Sequence, residues 1–221
     1  MKLNEKKTIL FDLDGTLTDS GEGIVNSFKY TLKCYNIHEY DEKMLNRFIG
    51  PPLKDSMKEL FCCSDEKAKE AIEKYREYYK TKGIYENRMY DGVEPLLRSL
   101  ARDGRKVILA TSKAEVFAVK ILDSFKISQY FMSVAGAELN GTRTGKDEVI
   151  RYALEKAGVS DREGVVMVGD REHDILGAKQ EGLDSIGVLY GYGNYEELKN
   201  AGASAIVETV DDLHKVLLDL S

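Results

Sequence analysis

An α/β fold is predicted: a parallel sheet covered by helices on both faces and interrupted by one all-helical insert. Three features of the 221-residue sequence predict it. Apolar runs of strand length alternate with amphipathic helical stretches over most of the chain. The alternation breaks between about residues 19 and 85, where the periodicity is helical throughout. The apolar runs close on glycine or small polar residues, as strands do where they open into loops. Hydrophobic residues make up 43% of the chain, enough for a core in one large domain or one domain with an insertion.

Taken in order, the first strand is expected over Lys7–Asp12, where Thr8-Ile9-Leu10 runs into Phe11-Asp12-Leu13-Asp14-Gly15. The insert follows, with a helix over about Gly23–Tyr35 and another opened at Leu53 by Pro51-Pro52. A further helix is capped by Ser64, with Asp65 and Glu66 in its first turn. Ala68, Ala71, Ile72, Tyr75 and Tyr79 recur along it at helical spacing and mark one apolar face, and Gly83 ends it. Tyr75, Tyr78 and Tyr79 are read as a helix–helix interface rather than a stacking platform. The chain rejoins the sheet layer before Tyr90-Asp91-Gly92. Further strands are expected over Lys106–Thr111, Phe131–Ala135, Val165–Gly169, Ser185–Leu189 and Ala205–Val207. Helices are expected over Ala114–Ser124, Lys146–Ala157, Asp174–Glu181, Tyr195–Ala201 and about Val210–Asp219. Residues 1–18 and 86–221 then form the core, and 19–85 a small helical domain.

Charge and composition narrow the function. A net charge of −6 without a basic block disfavours nucleic acid or an anionic membrane as partner. No apolar run approaches the roughly 20 residues that span a bilayer, and Met1–Lys7 lacks the apolar stretch of a signal peptide. A cytoplasmic monomer or homodimer is expected. Cys34, Cys62 and Cys63 make no disulfide framework, and none of His38, His173 and His214 stands at ligand spacing.

The chemistry concentrates at predicted strand ends. Asp12 and Asp14 sit where the first strand opens, the usual ligand edge of an open α/β sheet. Two carboxylates crowded there repel unless a cation or a proton is shared between them. Thr111 and the amide of Ser112, at the next strand end, suit a phosphate oxygen. Gly169-Asp170-Arg171-Glu172-His173-Asp174 places two more carboxylates one helical turn apart. Mg²⁺ uses one or two protein carboxylates with waters and substrate phosphate. Asp12, the Asp14 carbonyl and Asp170 suit it, with Asp174 holding a bound water. A phosphate dianion beside these groups also needs a fixed cation. Lys146, opening a helix after Thr144-Gly145, is favoured for that role over Arg143 and Lys113.

The four segments Asp12-Leu13-Asp14-Gly15-Thr16-Leu17, Thr111-Ser112, Lys146 and Gly169-Asp170…Asp174 resemble, in this order, the motifs of the haloacid dehalogenase superfamily. Ala110-Thr111-Ser112-Lys113 and Val168-Gly169-Asp170-Arg171 are similar to its phosphoglycolate phosphatase-like branch. One departure is Asp147, where many relatives have proline after the lysine. The resemblance implies a Rossmann-like core with a helical cap, and Mg²⁺-dependent hydrolysis of a small phosphorylated metabolite, as in phosphoglycolate phosphatases or 5′-nucleotidases. It implies that Asp12 is the nucleophile, Asp14 the general acid and base, and Thr111 and Lys146 their catalytic partners. Gly15, Ser112 and Lys113 would bind substrate, and the metal would take Asp12, Asp14, Asp170 and Asp174. Among cap residues, Glu22, Arg47, Gly50 and Lys54 are candidates to meet the leaving group, Arg47 foremost for substrate choice. A phosphomutase of the same superfamily would keep the same residues. A non-catalytic module would have lost the nucleophile, yet all four segments are intact here.

Overall fold

The computed structural model describes residues 1–219. Its centre is a six-stranded parallel sheet built from β1 (Thr8–Phe11), β4 (Lys106–Ala114), β5 (Ser133–Ala137), β6 (Val165–Gly169), β7 (Asp184–Val188) and β8 (Ala205–Val207), in the order β5-β4-β1-β6-β7-β8. β1 is buried at every position because helices cover both faces. Ile9 and Phe11 point into one apolar layer with Leu96, Leu100 and Val107, and Leu10 into the other with Val149, Ile150 and Met167. The covering helices are α5 (Val93–Arg102), α6 (Glu115–Ser124), α7 (Lys146–Lys156), α8 (Glu172–Gln180), α9 (Tyr195–Ala201) and α10 (Val210–Leu218).

Register decides where the chemistry goes. Phe11 stands opposite Leu109 of β4 and Val168 of β6, so the residues that follow all three emerge at one edge. The chain order turns back on either side of β1 there, which opens a crevice at the carboxyl ends of the strands.

Between β1 and β4 the chain forms α1 (Gly21–Cys34), α2 (Glu42–Leu45), α3 (Leu53–Phe61) and α4 (Asp65–Tyr78), the last continued by a π-helical turn over Tyr79–Gly83. α1, α3 and α4 pack chiefly on one another. Tyr75 and Tyr79 lie in the α1–α4 interface, while Tyr78 meets Tyr30 on its outer side. Ser64 occupies the N-cap position of α4, but its side chain makes no capping hydrogen bond. Among the described residues no helix is long and apolar enough to cross a membrane.

Four details differ from the sequence expectation. Between the first strand and Val107, where no strand is expected, the chain forms β2 (Thr18–Asp19) and β3 (Arg88–Met89), an antiparallel pair at the two ends of the helical insertion. Two-residue strands leave no alternation to read; tertiary pairing creates them. β4 runs on to Ala114 through an irregularity between Thr111 and Ala114, and α6 starts only at Glu115. Ser112 therefore lies in a strand bulge, not at a helix start. β5 begins two residues later than expected because Phe131 closes a 3₁₀ turn over Ser128–Tyr130. α8 begins at Glu172, which puts Asp174 in its first turn.

Candidate active site

At the shared edge, Asp12 leaves β1 with its amide still bonded to Val168 O (2.9 Å). The turn beyond it closes when Thr18 N–H donates to Leu13 O (3.0 Å) and Gly15 N–H to Thr18 O (2.8 Å). That pairing uses neither the amide nor the carbonyl of Asp14. Gly15 has φ +79°, and a Cβ there would stand 2.1 Å from Asp170 Oδ2, so backbone conformation and space both demand glycine.

Asp12, Asp170 and Asp174 are buried, and each offers a carboxylate oxygen within 4.8 Å of the others. Lys146 Nζ reaches in from the start of α7, 2.8 Å from Asp12 Oδ1, 2.7 Å from Asp174 Oδ1 and 3.2 Å from Ala110 O. Arg171 N–H donates to Asp174 Oδ2 (3.1 Å), Tyr192 N–H to Asp170 Oδ2 (2.8 Å), and Thr16 Oγ1 to Asp170 Oδ1 (3.4 Å).

Three buried carboxylates face one ammonium, and the electrostatics follow. Burial pushes the Asp170 carboxyl well above the usual range, and Asp174 and Asp12 push it the same way. Burial raises Asp174 to about 6 against the pull of Lys146. Burial alone would lower Lys146, but the charges of Asp12 and Asp174 outweigh it and hold the ammonium above its ordinary value. The cluster still carries more negative charge than one lysine offsets, and its donors are hard oxygens without histidine or cysteine. That donor set fits a divalent oxygen-seeking cation such as Mg²⁺.

Asp14 stands beside this cluster and turns to the insertion. Ser20 Oγ donates to its Oδ1 (2.5 Å), and Lys113 Nζ lies 2.9 Å from the same oxygen. Thr111 is buried, and its Oγ1 accepts from Lys113 N (3.3 Å). Asp14, Ser112 and Lys113 form the inner wall of a cavity of about 110 Å³. Its outer wall comes from α1, α3, α4 and the Phe48–Lys54 segment, including Gly50 and Lys54.

Of the residues singled out in the sequence, Asp12, Asp14, Gly15, Thr111, Ser112, Lys113, Lys146, Asp170 and Asp174 thus meet at one edge. Arg47 does not. Its side chain is 65% exposed, paired with Glu59 at 2.6 Å, and absent from the cavity wall. It sits on the 3₁₀ turn Asn46–Phe48, whose buried residue is Phe48. Glu22 also lies off the wall, and Arg143 is held by Gly136 O, Glu115 and Glu138.

Three further residues were not anticipated. Tyr192 ties the Asp170 side chain to the root of the insertion, because its hydroxyl donates to Asp19 Oδ1 and accepts from Gly21 N–H, both at 2.7 Å. Arg171 binds Glu197 and the Ile49 carbonyl. Tyr79 OH accepts from Lys113 Nζ at 2.5 Å. The signal for the first was Tyr190-Gly191-Tyr192-Gly193 directly after a strand at the ligand edge. Gly191 there lies so close to Gly15 O and Asp170 that a Cβ would clash with both.

Residues 9–188 match the haloacid dehalogenase-like hydrolase family. The chain is 44% identical to a 5′-nucleotidase of Pseudomonas aeruginosa over 86% of either protein. It is 37% identical to the tyrosine-protein kinase PtkA of Mycobacterium tuberculosis, over 95% of this chain and 72% of that protein. The crystal structure of a predicted phosphatase from Clostridium acetobutylicum superposes with a TM-score of 0.94 at 50% identity, covering 97% of this chain and 99% of that one. With its parallel sheet, its helical insertion and its aspartate edge, the chain belongs to the haloacid dehalogenase-like hydrolases.

Proposed function

We propose that this hydrolase removes phosphate from a small phosphomonoester in a Mg²⁺-dependent reaction through an aspartyl-phosphate. The observation that carries this reading is the convergence of Asp12, Asp170, Asp174 and Lys146 beside the cavity that Asp14 and Lys113 line.

Asp12, Asp170 and the Asp14 carbonyl would hold Mg²⁺, with Asp174 reaching it through water; when bound, the ion offsets the charge of the incoming phosphate. Asp12 attacks phosphorus in line, and the bond to the ester oxygen breaks. Asp14 gives that oxygen its proton, then takes one from the water that cleaves the aspartyl-phosphate. Both neighbours of Asp14 engage Oδ1, which leaves Oδ2 to carry the proton. Lys146 holds Asp12 in position and lowers its repulsion with the phosphate. Thr111 and Ser112 hold phosphate oxygens. Residues 19–85 act as a cap, hinged near β2 and β3, that closes over the cavity and excludes water.

The test is a Mg²⁺-supplemented screen over phosphoglycolate, nucleoside monophosphates, sugar phosphates and pyrophosphate, with Asp12→Asn alongside. Turnover that needs Mg²⁺ and Asp12 supports the reading. Full activity after exhaustive chelation, or near-normal turnover by Asp12→Asn, overturns it.

A further inference from the structure

Two residues join the carboxylate edge to the insertion, and both do it in the same way. Tyr192 gives its backbone N–H to Asp170 Oδ2 (2.8 Å), while its hydroxyl reaches the root of the insertion, accepting from Gly21 N–H and donating to Asp19 Oδ1, both at 2.7 Å. Arg171 gives its backbone N–H to Asp174 Oδ2 (3.1 Å), while its guanidinium donates to the Ile49 carbonyl (2.5 Å), between Phe48 and Gly50 of the cavity wall. Each holds one buried carboxylate with its main chain and a separate point of the insertion with its side chain.

Neither link has slack. Ser20 stands at the N-cap of α1, but its hydroxyl is engaged with Asp14, so the first amide of the helix takes its partner from Tyr192, 171 residues away. The glycines on either side of Tyr192 have no room for a Cβ: one at Gly191 would stand 2.4 Å from Asp170 Cβ, and one at Gly193 1.9 Å from Asp170 O. The loop therefore rests directly on Asp170. On the other side, Glu197 Oε1 accepts from Arg171 Nε (2.8 Å) and from Glu172 N–H (2.9 Å), which fixes the guanidinium to the start of α8. A Cβ at Gly50 would meet Arg171 Cγ at 2.8 Å, so the wall segment packs on that side chain. Lys113 with Tyr79, and Arg76 with the Leu139 carbonyl, also join the insertion to the core, but neither pair reaches Asp170 or Asp174.

Asp12, Asp170 and Asp174 crowd one ammonium and repel one another. A divalent cation there offsets the repulsion and settles the two carboxylates on which the Tyr192 and Arg171 amides rest. We propose that Tyr192 and Arg171 are positioning residues that couple the cation site to the insertion, so that Mg²⁺ at the carboxylates tightens the insertion over the cavity before any ester binds; this rests on the Mg²⁺ site of the reading above. The coupling is reciprocal, so a seated insertion strengthens Mg²⁺ binding by the same factor.

Hydrogen–deuterium exchange of the full chain, without ester, in chelator and in saturating Mg²⁺ tests this, with Tm read on the same samples. Couplings between sites run at about 5–150-fold, so in wild type Mg²⁺ should slow exchange over α1 and over residues 48–54 by about fivefold or more. Tyr192→Phe keeps the ring and the amide that serves Asp170, and Arg171→Met keeps the amide that serves Asp174. Both should still show a Mg²⁺-dependent rise in Tm, with Mg²⁺ affinity lowered by no more than the coupling factor. Tyr192→Phe should lose the Mg²⁺-induced slowing over α1, and Arg171→Met that over residues 48–54, each to under about twofold. A merely structural contact would instead speed exchange equally with and without Mg²⁺ and leave the ratio as in wild type; that result overturns the proposal. So does wild-type exchange that ignores Mg²⁺ while Tm rises, which leaves the Mg²⁺ site intact, and this comparison stands whether or not a variant folds. No Mg²⁺ effect on either Tm or exchange overturns the Mg²⁺ site itself, and the proposal with it.

Discussion

Replacing Lys146 with methionine isolates the electrostatic core of the site. Lys146 is 4% exposed and bridges Asp12 (2.8 Å) and Asp174 (2.7 Å). Methionine retains most of the side-chain bulk, so packing survives while two buried carboxylates lose their cation. Removing one partner of a buried pair costs about 3–5 kcal/mol. For a chain of this length each kcal/mol moves Tm by about 2–4 °C, so metal-free Lys146→Met should melt roughly 6–20 °C below wild type at pH 7.5. The deficit has a pH signature. Asp174 is already pushed up to about 6 in the folded protein, from 3.8, and loss of Lys146 raises it further. As pH falls, the folded variant takes up a proton that the unfolded chain binds only near 3.8, so its stability recovers and the gap to wild type narrows. Calorimetric melting of both proteins in chelator at pH 7.5 and pH 5 measures this. A Tm change under about 3 °C at pH 7.5, or a gap that fails to narrow at pH 5, would refute the arrangement described.

Other substitutions test the remaining parts of the edge. Metal-free Asp170→Asn should melt at or above wild type, because burial, with Asp174 and Asp12, pushes the Asp170 carboxyl well above the usual range and the neutral amide avoids that cost; it should also lose most of the Mg²⁺ response. In wild type that response is about 2.7 kcal/mol at a hundredfold excess over Kd, or roughly 5–11 °C, readable by melting without any turnover. Gly15→Ala combines φ +79° with a Cβ 2.1 Å from Asp170 Oδ2. It should cost at least about 1–2 kcal/mol of backbone strain and abolish the Mg²⁺-dependent rise in Tm; a normal rise would show that Asp170 is not a ligand. Arg47→Ala removes one exposed ion pair worth at most about 1 kcal/mol and should change kcat/KM less than about twofold on every ester. A selective loss on acidic esters would return Arg47 to the site.

The fold was legible because its signals are strong and local. Strands buried on both faces read as apolar runs, and the helices between them carry their own periodicity; β6 and α9 fall where the sequence placed them. The aspartates were legible for a related reason. Asp12 directly follows β1 and Asp170 directly follows β6, two neighbouring buried strands, which leaves little freedom in where either carboxylate stands. What escaped was set by contacts distant in sequence. The β2–β3 pair and the links from Tyr192 to Asp19 and Gly21 join segments about 70 and 170 residues apart. Arg47 was misplaced because a 3₁₀ turn gives its residues different outlooks: Phe48 turned to the cavity and Arg47 to solvent. Tyr75 and Tyr79 were read as a helix interface. They lie in one, but their rings also face the cavity, a double role that helical spacing does not encode.

The covalent step at Asp12 is the most direct test. Protein mixed with Mg²⁺ and a turned-over ester, then quenched with borohydride, would have any acyl phosphate reduced, converting that aspartate to homoserine, which peptide mass spectrometry locates. Homoserine is predicted at position 12 alone, and only when both ester and Mg²⁺ are present. Continued turnover with no homoserine, or homoserine at Asp14, Asp170 or Asp174 instead, would contradict a nucleophilic Asp12.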